Sequence, residues 1–275
     1  MISDWIRSFK HGQRQKRAIS EIASRSTVPG IAHGLPAPLI VSLTSYPARY
    51  GTLSLTLAAL LRQSVQPDKV ILWLDEGDEA SLPAEVVALK SEGLEVAICP
   101  DWRSYKKIIP TLSAWPEAFI VTADDDVYYP HDWLEALVAA VSDTTGIACH
   151  RAHRINLGAD GLPLPYEEWA HNIPHPDRSS LVFLTGVMGV IYAPGVFHPD
   201  ILRDDLFTEL SPGSDDVWLY WMHRLAGTEA QKIGSRARIL EWGGSQIQSL
   251  RAENVTGLGN DRAIKAMLGR YGWPG

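Results

Sequence analysis

The chain has few cysteines, and this shortage excludes two kinds of site. Its 275 residues include only Cys99 and Cys149, each within an apolar stretch and without CxxC spacing. The pair gives no sign of a structural metal site or a redox motif, so we expect two buried, reduced thiols. A chain of this length buries enough apolar surface to fold without disulfides.

A membrane-spanning segment is also missing. The longest apolar stretch, 181–197, is interrupted by glycine, proline and threonine and is too short for a bilayer. The start of the chain lacks the basic region and continuous apolar core of a signal peptide. These features predict a cytoplasmic protein with access to activated cytosolic substrates.

Positive charge is scarce except near the start of the chain. The net charge of −7 argues against binding to bulk nucleic acid, because that function needs a basic surface. Residues 1–34, however, carry six basic side chains against two acidic ones. Apolar residues recur there at helical spacing from Ile2 to Phe9 and again at Ile19 and Ile22. The pattern predicts a basic amphipathic helix, which either makes a peripheral contact with an anionic membrane or packs on the domain.

Buried strands alternate with helices over the first half of the chain. The expected strands are Leu39–Thr44, Lys69–Leu74, Leu94–Ile98 and Phe119–Ala123. The expected helices are Leu53–Gln63, Pro83–Glu92 and Asp132–Val141, and Tyr105–Leu112 is expected to form a helix or a single helical turn. Such alternation predicts right-handed βαβ units and a Rossmann-like α/β sandwich with a mostly parallel central sheet.

After Gly146 the regular alternation of predicted strands and helices ends. A short strand is expected at Ile147–His150 and a long loop at 156–180, and Leu181–Tyr192 predicts one strand, or two that are broken at glycine. The last helices are expected at Asp215–Leu225 and Asp261–Tyr271. We therefore divide the chain into a basic helix with its linker (1–38), a nucleotide-binding half (39–146) and an acceptor-binding half (147–275) that shares the same sheet.

Three adjacent carboxylates, Asp124-Asp125-Asp126, follow the fourth strand. In an extended chain residues i and i+2 face the same side, so Asp124 and Asp126 point together and Asp125 points away. Neighbouring carboxylates repel one another unless a positive charge lies among them, and Mn²⁺ or Mg²⁺ suits their oxygen atoms. Open α/β sheets also bind ligands at the carboxyl ends of their strands. We predict that Asp124 and Asp126 hold a divalent metal that bridges to a diphosphate. The alternative is an acidic turn that caps the next helix.

A second acidic pair, Asp215-Asp216, opens a predicted helix. A carboxylate there could act as a general base that takes a proton from a reacting hydroxyl, or it could simply cap the helix. Upstream, Lys107 ends the sequence Ser104-Tyr105-Lys106-Lys107. Its ammonium could neutralise diphosphate oxygens, or it could be a solvated surface charge.

Other candidates lie in the second half. Strand alternation puts Arg151 and His153 on one face. Arg151 or Arg154 could contact a phosphate or an acidic acceptor, and His153 is an open candidate for the metal. Trp169, in the predicted polar loop, suits stacking on a sugar ring.

These motifs together carry a family resemblance. The acidic triplet after FIVTA, the opening SLTSYPARY at 42–50 and the later SDDVW at 214–218 resemble the GT-A fold glycosyltransferases, most closely the family-2-like bacterial enzymes of surface polysaccharide synthesis. The likeness extends over roughly residues 39–270, and Leu250–Tyr271, with Asn254, Asn260 and Asp261, resembles the tail of the group. It implies a GT-A three-layer sandwich and a metal-dependent hexosyltransferase. The donor implied is a nucleoside diphosphate sugar, with a UDP-sugar favoured, and the acceptor is a glycan or lipid-linked hydroxyl.

The resemblance also implies roles for single residues. Ser45, Tyr46 and Arg49 would line the nucleotide pocket, and Asp75 would contact the base. Independently of the resemblance, we also assign Asp125 and Lys107 to the donor site. Asp216, rather than Asp215, would be the base if the reaction inverts the anomeric centre. The opening loop departs from the Pro-x-Tyr-Asn of many family members, so the identity of the nucleotide stays open.

Three other functions fit parts of the pattern. A haloacid-dehalogenase-type phosphohydrolase also has Asp-x-Asp after a strand, but its nucleophile normally follows the first strand. A sugar nucleotidyltransferase needs a glycine-rich phosphate loop where this chain has SYPARYG. A non-catalytic sugar-binding protein of GT-A type would keep the motifs without turnover.

Overall fold

Strands and helices alternate along the chain in the computed structural model, which describes residues 2–27, 30–143, 146–243 and 259–275. The strands are β1 (Ile31–Ala32), β2 (Leu39–Thr44), β3 (Val65–Gln66), β4 (Lys69–Leu74), β5 (Leu94–Ile98), β6 (Phe119–Ala123), β7 (Ile147–Cys149), β8 (Ala152–Arg154), β9 (Asp177–Ser179), β10 (Val182–Leu184), β11 (Val190–Tyr192) and β12 (Ala230–Lys232). The α-helices are α1 (Ile2–Ser24), α2 (Tyr50–Leu61), α3 (Ala84–Ala88), α4 (Ile109–Ala114), α5 (Trp133–Asp143), α6 (Asp204–Leu210), α7 (Asp215–Leu225) and α8 (Gly259–Tyr271). Short 3₁₀ helices lie at Pro47–Arg49, Asp78–Ser81, Leu89–Glu92, Arg103–Lys107, Tyr166–Glu168 and Pro199–Leu202.

One large sheet organises these elements in the order β5-β4-β2-β6-β11-β7-β12-β9. The strands β5, β4, β2 and β6 run parallel, whereas β11 pairs antiparallel with both β6 and β7. Beyond them β12 runs parallel to β7, and β9 pairs antiparallel with β12. This mixed, mostly parallel sheet flanked by helices confirms the expected α/β sandwich.

Alternate residues of β2 belong to opposite layers of the sandwich. Leu39 and Val41 lie in the core that includes α2 and α5. Ile40 packs on the other face, in a cluster with Trp73 and Ile120. A strand covered on both faces reads as a continuous apolar run, which is why LIVSLT is a clear strand signal.

The strand β11 comes from the second half of the chain but pairs directly with β6, the last parallel strand of the first half. The stretch 181–192 forms two strands, which was one of the two expected outcomes, and they enter different sheets. β10 pairs with β8 in a separate two-stranded sheet, whereas β11 lies between β6 and β7. The two halves of the chain therefore share one sheet at the point where the acidic triplet leaves β6.

The helix α1 packs on the domain through its second half. Ala18 and Ile22 are buried in the main core. The buried guanidinium of Arg25 donates to the carbonyl oxygens of Ala59 and Tyr129 at 2.9 and 2.8 Å. In the described ranges no helix combines the length and apolar character that a membrane crossing requires.

The two cysteines are buried free thiols, as expected. Burial raises the pKa of Cys149 to about 12, so this thiol is inert near neutral pH.

Candidate active site

A cavity of about 300 Å³ opens where the acidic triplet leaves β6. Its wall is rich in charged and polar groups from both halves of the chain, which suits a small polar ligand. It is lined by Arg49, Ser104, Lys107, Asp124, Asp126, Val127, Arg151, His153, Tyr166, His171, Thr185, Gly186, Val187, Ser214, Asp215, Asp216, Ile239, Glu241 and Asn260.

The members of the acidic triplet face different surroundings. Asp124 and Asp126 line the cavity and Asp125 does not, as strand alternation predicts. The side chain of Asp124 is 24% exposed, more than that of either neighbour. The backbone N–H of Asp124 donates to the hydroxyl of Tyr129 at 2.7 Å and so closes the turn after β6.

Asp125 is held inside the protein by two partners. Ser45 Oγ donates to Asp125 Oδ2 at 2.5 Å, and Arg49 Nη1 donates to Asp125 Oδ1 at 2.8 Å. The same Nη1 donates to Asp126 Oδ2 at 2.9 Å. Arg49 also lies over the ring of Tyr46, 5.5 Å from its centroid. Ser45, Arg49 and Asp125 therefore brace the acidic turn from behind, and of these three only Arg49 lines the cavity.

Lys107 links the two acidic motifs. Its Nζ lies 3.3 Å from Asp124 Oδ1 and 3.1 Å from Asp215 Oδ2. Burial alone would lower the pKa of this ammonium, but Asp215, Asp124 and Asp216 together raise it well above its usual value. Lys107 is therefore a permanent cation, and the alternative of a solvated surface lysine is wrong because the residue is only 7% exposed.

Asp216 is half-buried, whereas its neighbour Asp215 is buried. The Oδ1 atom of Asp216 accepts a hydrogen bond from the backbone N–H of Gly186 at 2.9 Å, which fixes the orientation of the carboxylate. Burial and the neighbouring Asp215 raise the pKa of Asp216 to about 7 against the opposing effect of Lys107. A carboxylate that exchanges a proton near neutral pH has the property required of a general base. The side chain of Ser214, the residue before α7, makes no capping hydrogen bond.

The cavity wall carries more acids than bases. Five carboxylates line it, from Asp124, Asp126, Asp215, Asp216 and Glu241, and its cations are Arg49, Lys107 and Arg151.

This surplus fits a divalent cation. Burial and Asp124 raise the pKa of Asp126 to about 7, against the effect of Arg49. A cation beside these acids would relieve their repulsion, and their oxygen atoms suit Mn²⁺ or Mg²⁺. Among the described residues no three acidic, histidine or cysteine side chains converge on one point. The ion would therefore complete its shell with water and phosphate oxygens, as Mg²⁺ usually does.

Another part of the cavity lining is cationic and aromatic. Arg151 Nη1 donates to Thr185 Oγ1 at 2.8 Å. His153 Nδ1 accepts from the backbone N–H of Asn172 at 2.9 Å, so its proton lies on Nε2. Burial and the positive charge of Arg151 lower the pKa of His153 to about 3. This histidine is therefore neutral, and its ring packs 4.3 Å from that of His171.

Some predicted residues lie away from the cavity. Asp75 follows β4 and accepts a hydrogen bond from Lys106 Nζ at 2.7 Å, outside the lining. Arg154 is ion-paired with Asp177 and does not line the cavity. The expectation that Trp169 stacks on a sugar is wrong. The ring is buried in an apolar cluster with Tyr166 and Phe183, and its Nε1 donates to the carbonyl oxygen of Leu164.

The predicted tail of the chain is only partly described. Asn254 and the other residues of 250–258 lie outside the described residues. Asn260 lines the cavity. Asp261 Oδ1 accepts from the backbone N–H of Tyr166 at 2.8 Å and so fixes the loop that carries that ring.

Several lining residues were not singled out from the sequence. Glu241 reaches the site because residues 127 and 241 form a β-bridge, and the N–H of Trp242 donates to the carbonyl oxygen of Asp126 at 2.9 Å. Because this pairing joins segments that are far apart in the sequence, no local sequence pattern predicts it. Gly186 had a weak signal, since it interrupts an apolar run.

Comparison with known proteins gives a distant likeness. No protein-family model and no curated protein matches the chain. Among solved structures it is similar to S. aureus TarS, with 14% identity and a TM-score of 0.46 over 74% of this chain and 36% of that chain. For TarS residues 1–349 in complex with UDP the TM-score is 0.44 at 14% identity, over 74% of this chain and 59% of that chain.

A weaker likeness is to the mannosyltransferase PcManGT from Pyrobaculum calidifontis, in complex with GDP-Man and Mn²⁺. Its TM-score is 0.30 at 14% identity, over 54% of this chain and 45% of that chain. The chain thus spans less than two thirds of each of these structures. Similarity at this level carries no argument about substrate, which has to come from the site itself.

Proposed function

We propose that the protein is a metal-dependent glycosyltransferase that moves a hexosyl-type group from a nucleoside diphosphate sugar to a hydroxyl acceptor. One observation carries the proposal. Lys107 joins Asp124, which follows β6, to Asp215, which opens α7, within a single cavity. Groups suited to a departing diphosphate and a group suited to an incoming hydroxyl therefore lie side by side, as glycosyl transfer requires.

The donor side of the proposed site is the acidic turn. Asp124 and Asp126 would hold Mn²⁺ or Mg²⁺, which when bound stabilises the negative charge that develops on the leaving diphosphate. Lys107 contributes a second, permanent positive charge to the same region. Arg49 keeps Asp126 in place through its hydrogen bond.

The nucleotide would extend from this point toward the opening loop. Tyr46 offers an aromatic face, and Asp75 would contact the base, with a UDP-sugar as the favoured donor. Ser45 and Asp125 support the pocket from behind through their mutual hydrogen bond.

Asp216 would activate the acceptor. The acceptor oxygen attacks the anomeric carbon, the bond from that carbon to the diphosphate oxygen breaks, and the hydroxyl proton moves to the Asp216 carboxylate. A pKa of about 7 lets this group accept the proton near neutral pH. Asp215 instead forms the ion pair with Lys107. This assignment applies to an inverting reaction; retaining GT-A enzymes share the metal motif.

The acceptor side suits a glycan or a lipid-linked sugar. Tyr166 and His171 present rings to the cavity, and Arg151 adds a charged donor. Aromatic faces pack well on the C–H surfaces of sugars. With the resemblance to enzymes of bacterial surface polysaccharide synthesis, this favours a role in making such polysaccharides or related glycoconjugates.

A thermal-shift screen with nucleoside diphosphates and sugar nucleotides tests the donor site. We expect one ligand class to stabilise the protein with Mn²⁺ but not with EDTA, and Asp126→Ala to abolish the shift. Equal shifts in EDTA would contradict metal-dependent donor binding. The matched control is Asp205→Asn, an exposed carboxylate that is paired with Arg203 and does not line the cavity.

Turnover separates the proposed enzyme from its alternatives. With the donor found in the screen, we expect Mn²⁺-dependent sugar transfer or slow donor hydrolysis. We also expect Asp216→Asn to retain donor binding and lose transfer. Release of inorganic phosphate from simple esters would instead indicate a haloacid-dehalogenase-type phosphohydrolase. Donor binding without any turnover would indicate a non-catalytic sugar-binding protein.

A further inference from the structure

The helix α1 has two faces with different surroundings. Ala18 and Ile22 point into the domain and are buried. Phe9 lies about 140° around the helix axis from Ile22, at about 100° per residue. Its side chain is 54% exposed, and that of Ile19 is 41% exposed. Large apolar side chains are thus presented to solvent on a helix whose other face is already packed.

Cations surround these exposed apolar side chains. Lys10, Arg14, Lys16 and Arg17 are all exposed, and no acidic residue occurs from 8 to 20. Within the described residues none of the four forms an ion pair. Glu21 pairs instead with Arg25, which directly follows the helix. By helical angle Phe9 lies between Lys16 and Arg17.

This charge is segregated from the rest of the protein. Residues 1–34 contribute +4 to a total of −7, so residues 35–275 carry −11. Such a molecule approaches an anionic surface with its basic helix first, because the remainder is repelled. The same repulsion disfavours a long nucleic acid, which would also meet the acidic body.

The packed half of α1 is attached directly to the cavity wall. Gln15 Nε2 donates to the carbonyl oxygen of Glu241 at 2.8 Å, and Glu241 lines the cavity. The hydroxyl of Tyr128, which follows the acidic turn, donates to Glu21 Oε2 at 3.1 Å. A surface that held α1 would therefore also fix the orientation of the cavity.

We propose that the outer face of α1, formed by Phe9, Lys10, Arg14, Lys16, Arg17 and Ile19, docks on an anionic lipid surface. Basic side chains next to exposed apolar ones are the composition of helices that lie in the membrane interface. Docking would hold the cavity at a set orientation above the membrane, where a lipid-linked acceptor is presented. That last consequence rests on the proposed function, whereas the docking itself does not.

Vesicle co-sedimentation of the full chain tests the docking. The protein is mixed with vesicles of phosphatidylcholine alone or of phosphatidylcholine with phosphatidylglycerol, at low and high salt. We expect binding to the anionic vesicles only, weakened by salt. Lys10→Glu with Arg14→Glu should lower the bound fraction roughly tenfold or more. Phe9→Ser should remove the part of the binding that survives high salt.

A matched double variant controls for net charge. Arg262→Glu with Lys265→Glu makes the same charge change at exposed positions of α8 and should leave binding near the wild-type value. Equal binding of the wild type to neutral and anionic vesicles would overturn the proposal. An equal loss of vesicle binding in both double variants would overturn it too. So would sedimentation of the wild type without vesicles, if only the α1 double variant abolished that self-association.

The assay contains neither donor nor acceptor, so it is independent of catalysis. Asp126→Ala should sediment with anionic vesicles as the wild type does. Failure of sugar transfer together with vesicle binding would count against the transferase alone, and the reverse result would count against the docking alone.

Discussion

Gly186 lies so close to Lys107 that a β-carbon at position 186 would come within 2.6 Å of the lysine Nζ and 3.3 Å of Asp216 Oδ1. The absence of a side chain there allows the lysine to lie between the two acidic motifs while the backbone N–H holds Asp216. A substitution at position 186 therefore tests whether the position of the Lys107 ammonium matters.

Gly186→Ala should therefore disable catalysis through Lys107. The new methyl group would push the ammonium out of the gap between Asp124 and Asp215, and displacements on the order of 1 Å in a site can lower rates roughly 100-fold. The measurement is kcat for sugar transfer. Gly51→Ala is the control, since nothing lies within 4 Å of its added β-carbon. Wild-type kcat in Gly186→Ala would show that the position of the lysine does not matter.

Lys107→Met should destabilise the metal-free protein. Removal of the shared cation leaves buried carboxylates uncompensated, which costs about 3–5 kcal/mol for a broken buried pair. Because an added divalent cation restores positive charge near the same acids, Mn²⁺ should recover part of the loss. Chemical unfolding with EDTA or Mn²⁺ measures both effects.

The matched control for that substitution is Lys69→Met, whose partner Glu95 is half exposed. An exposed pair of this kind contributes no more than about 1 kcal/mol. Equal losses in the two variants would contradict a special role for Lys107.

Asp216→Asn should change how stability depends on pH. The folded protein holds a proton on Asp216 up to about pH 7, whereas an unfolded aspartate releases it near pH 4. The wild-type free energy of unfolding therefore falls as pH rises through that interval, by at most about 1.4 kcal/mol per pH unit from this group. The variant has no carboxylate at this position and so does not lose stability in this way. In EDTA its free energy of unfolding should exceed that of the wild type at about pH 8, and the difference should vanish near pH 4.

An exposed carboxylate provides the opposite case. Arg203 lowers the pKa of Asp205, so that group favours the folded state at high pH and loses its contribution as the solution becomes acidic. Asp205→Asn should give no gain in stability at alkaline pH. A gain there equal to that of Asp216→Asn would contradict the burial argument.

Asp124→Asn and Asp125→Asn should have different consequences although the residues are adjacent. Asp125 accepts from Ser45 and Arg49, so its amide variant should lose stability, by about 3 kcal/mol if the buried pair is broken. Asp124 has the most exposed carboxylate of the triplet, so its variant should fold normally and lose Mn²⁺ affinity. Thermal unfolding in EDTA and calorimetric Mn²⁺ titration distinguish the two. Undiminished Mn²⁺ affinity in Asp124→Asn would remove it from the metal site.

The parallel part of the fold could be predicted from sequence because its signals are local. The bounds of β2, β4, β5 and β6 match their apolar runs, and α7 has the predicted bounds. The strand β12 has no such signal, since AQK is short and polar and becomes a strand only by pairing with β7 and β9. The helix α6 was missed as well.

The same difference between local and non-local signals decides which site residues could be predicted from the sequence. Acids that follow a strand or open a helix are visible in the sequence. Asp124, Asp126 and Asp216 were predicted from pattern and resemblance, and the structure brings all three to one cavity. The partners that set their chemistry come from distant segments, such as Gly186 against Asp216 and residue 241 against residue 127. Trp169 was misjudged for the opposite reason. The composition of its loop is polar, which suggested an exposed ring, but the loop folds back and the ring completes an apolar cluster.

The interleaving of β11 between β6 and β7 bears on how the chain can be divided. A fragment ending at residue 146 would leave the FIVTA strand with one side bare, and an uncovered apolar strand border invites association with other chains. A fragment starting at 147 would retain β11 and β7 but lose β6, the other neighbour of β11. Each piece should precipitate when expressed alone, and co-expression of the two should restore soluble material by complementation.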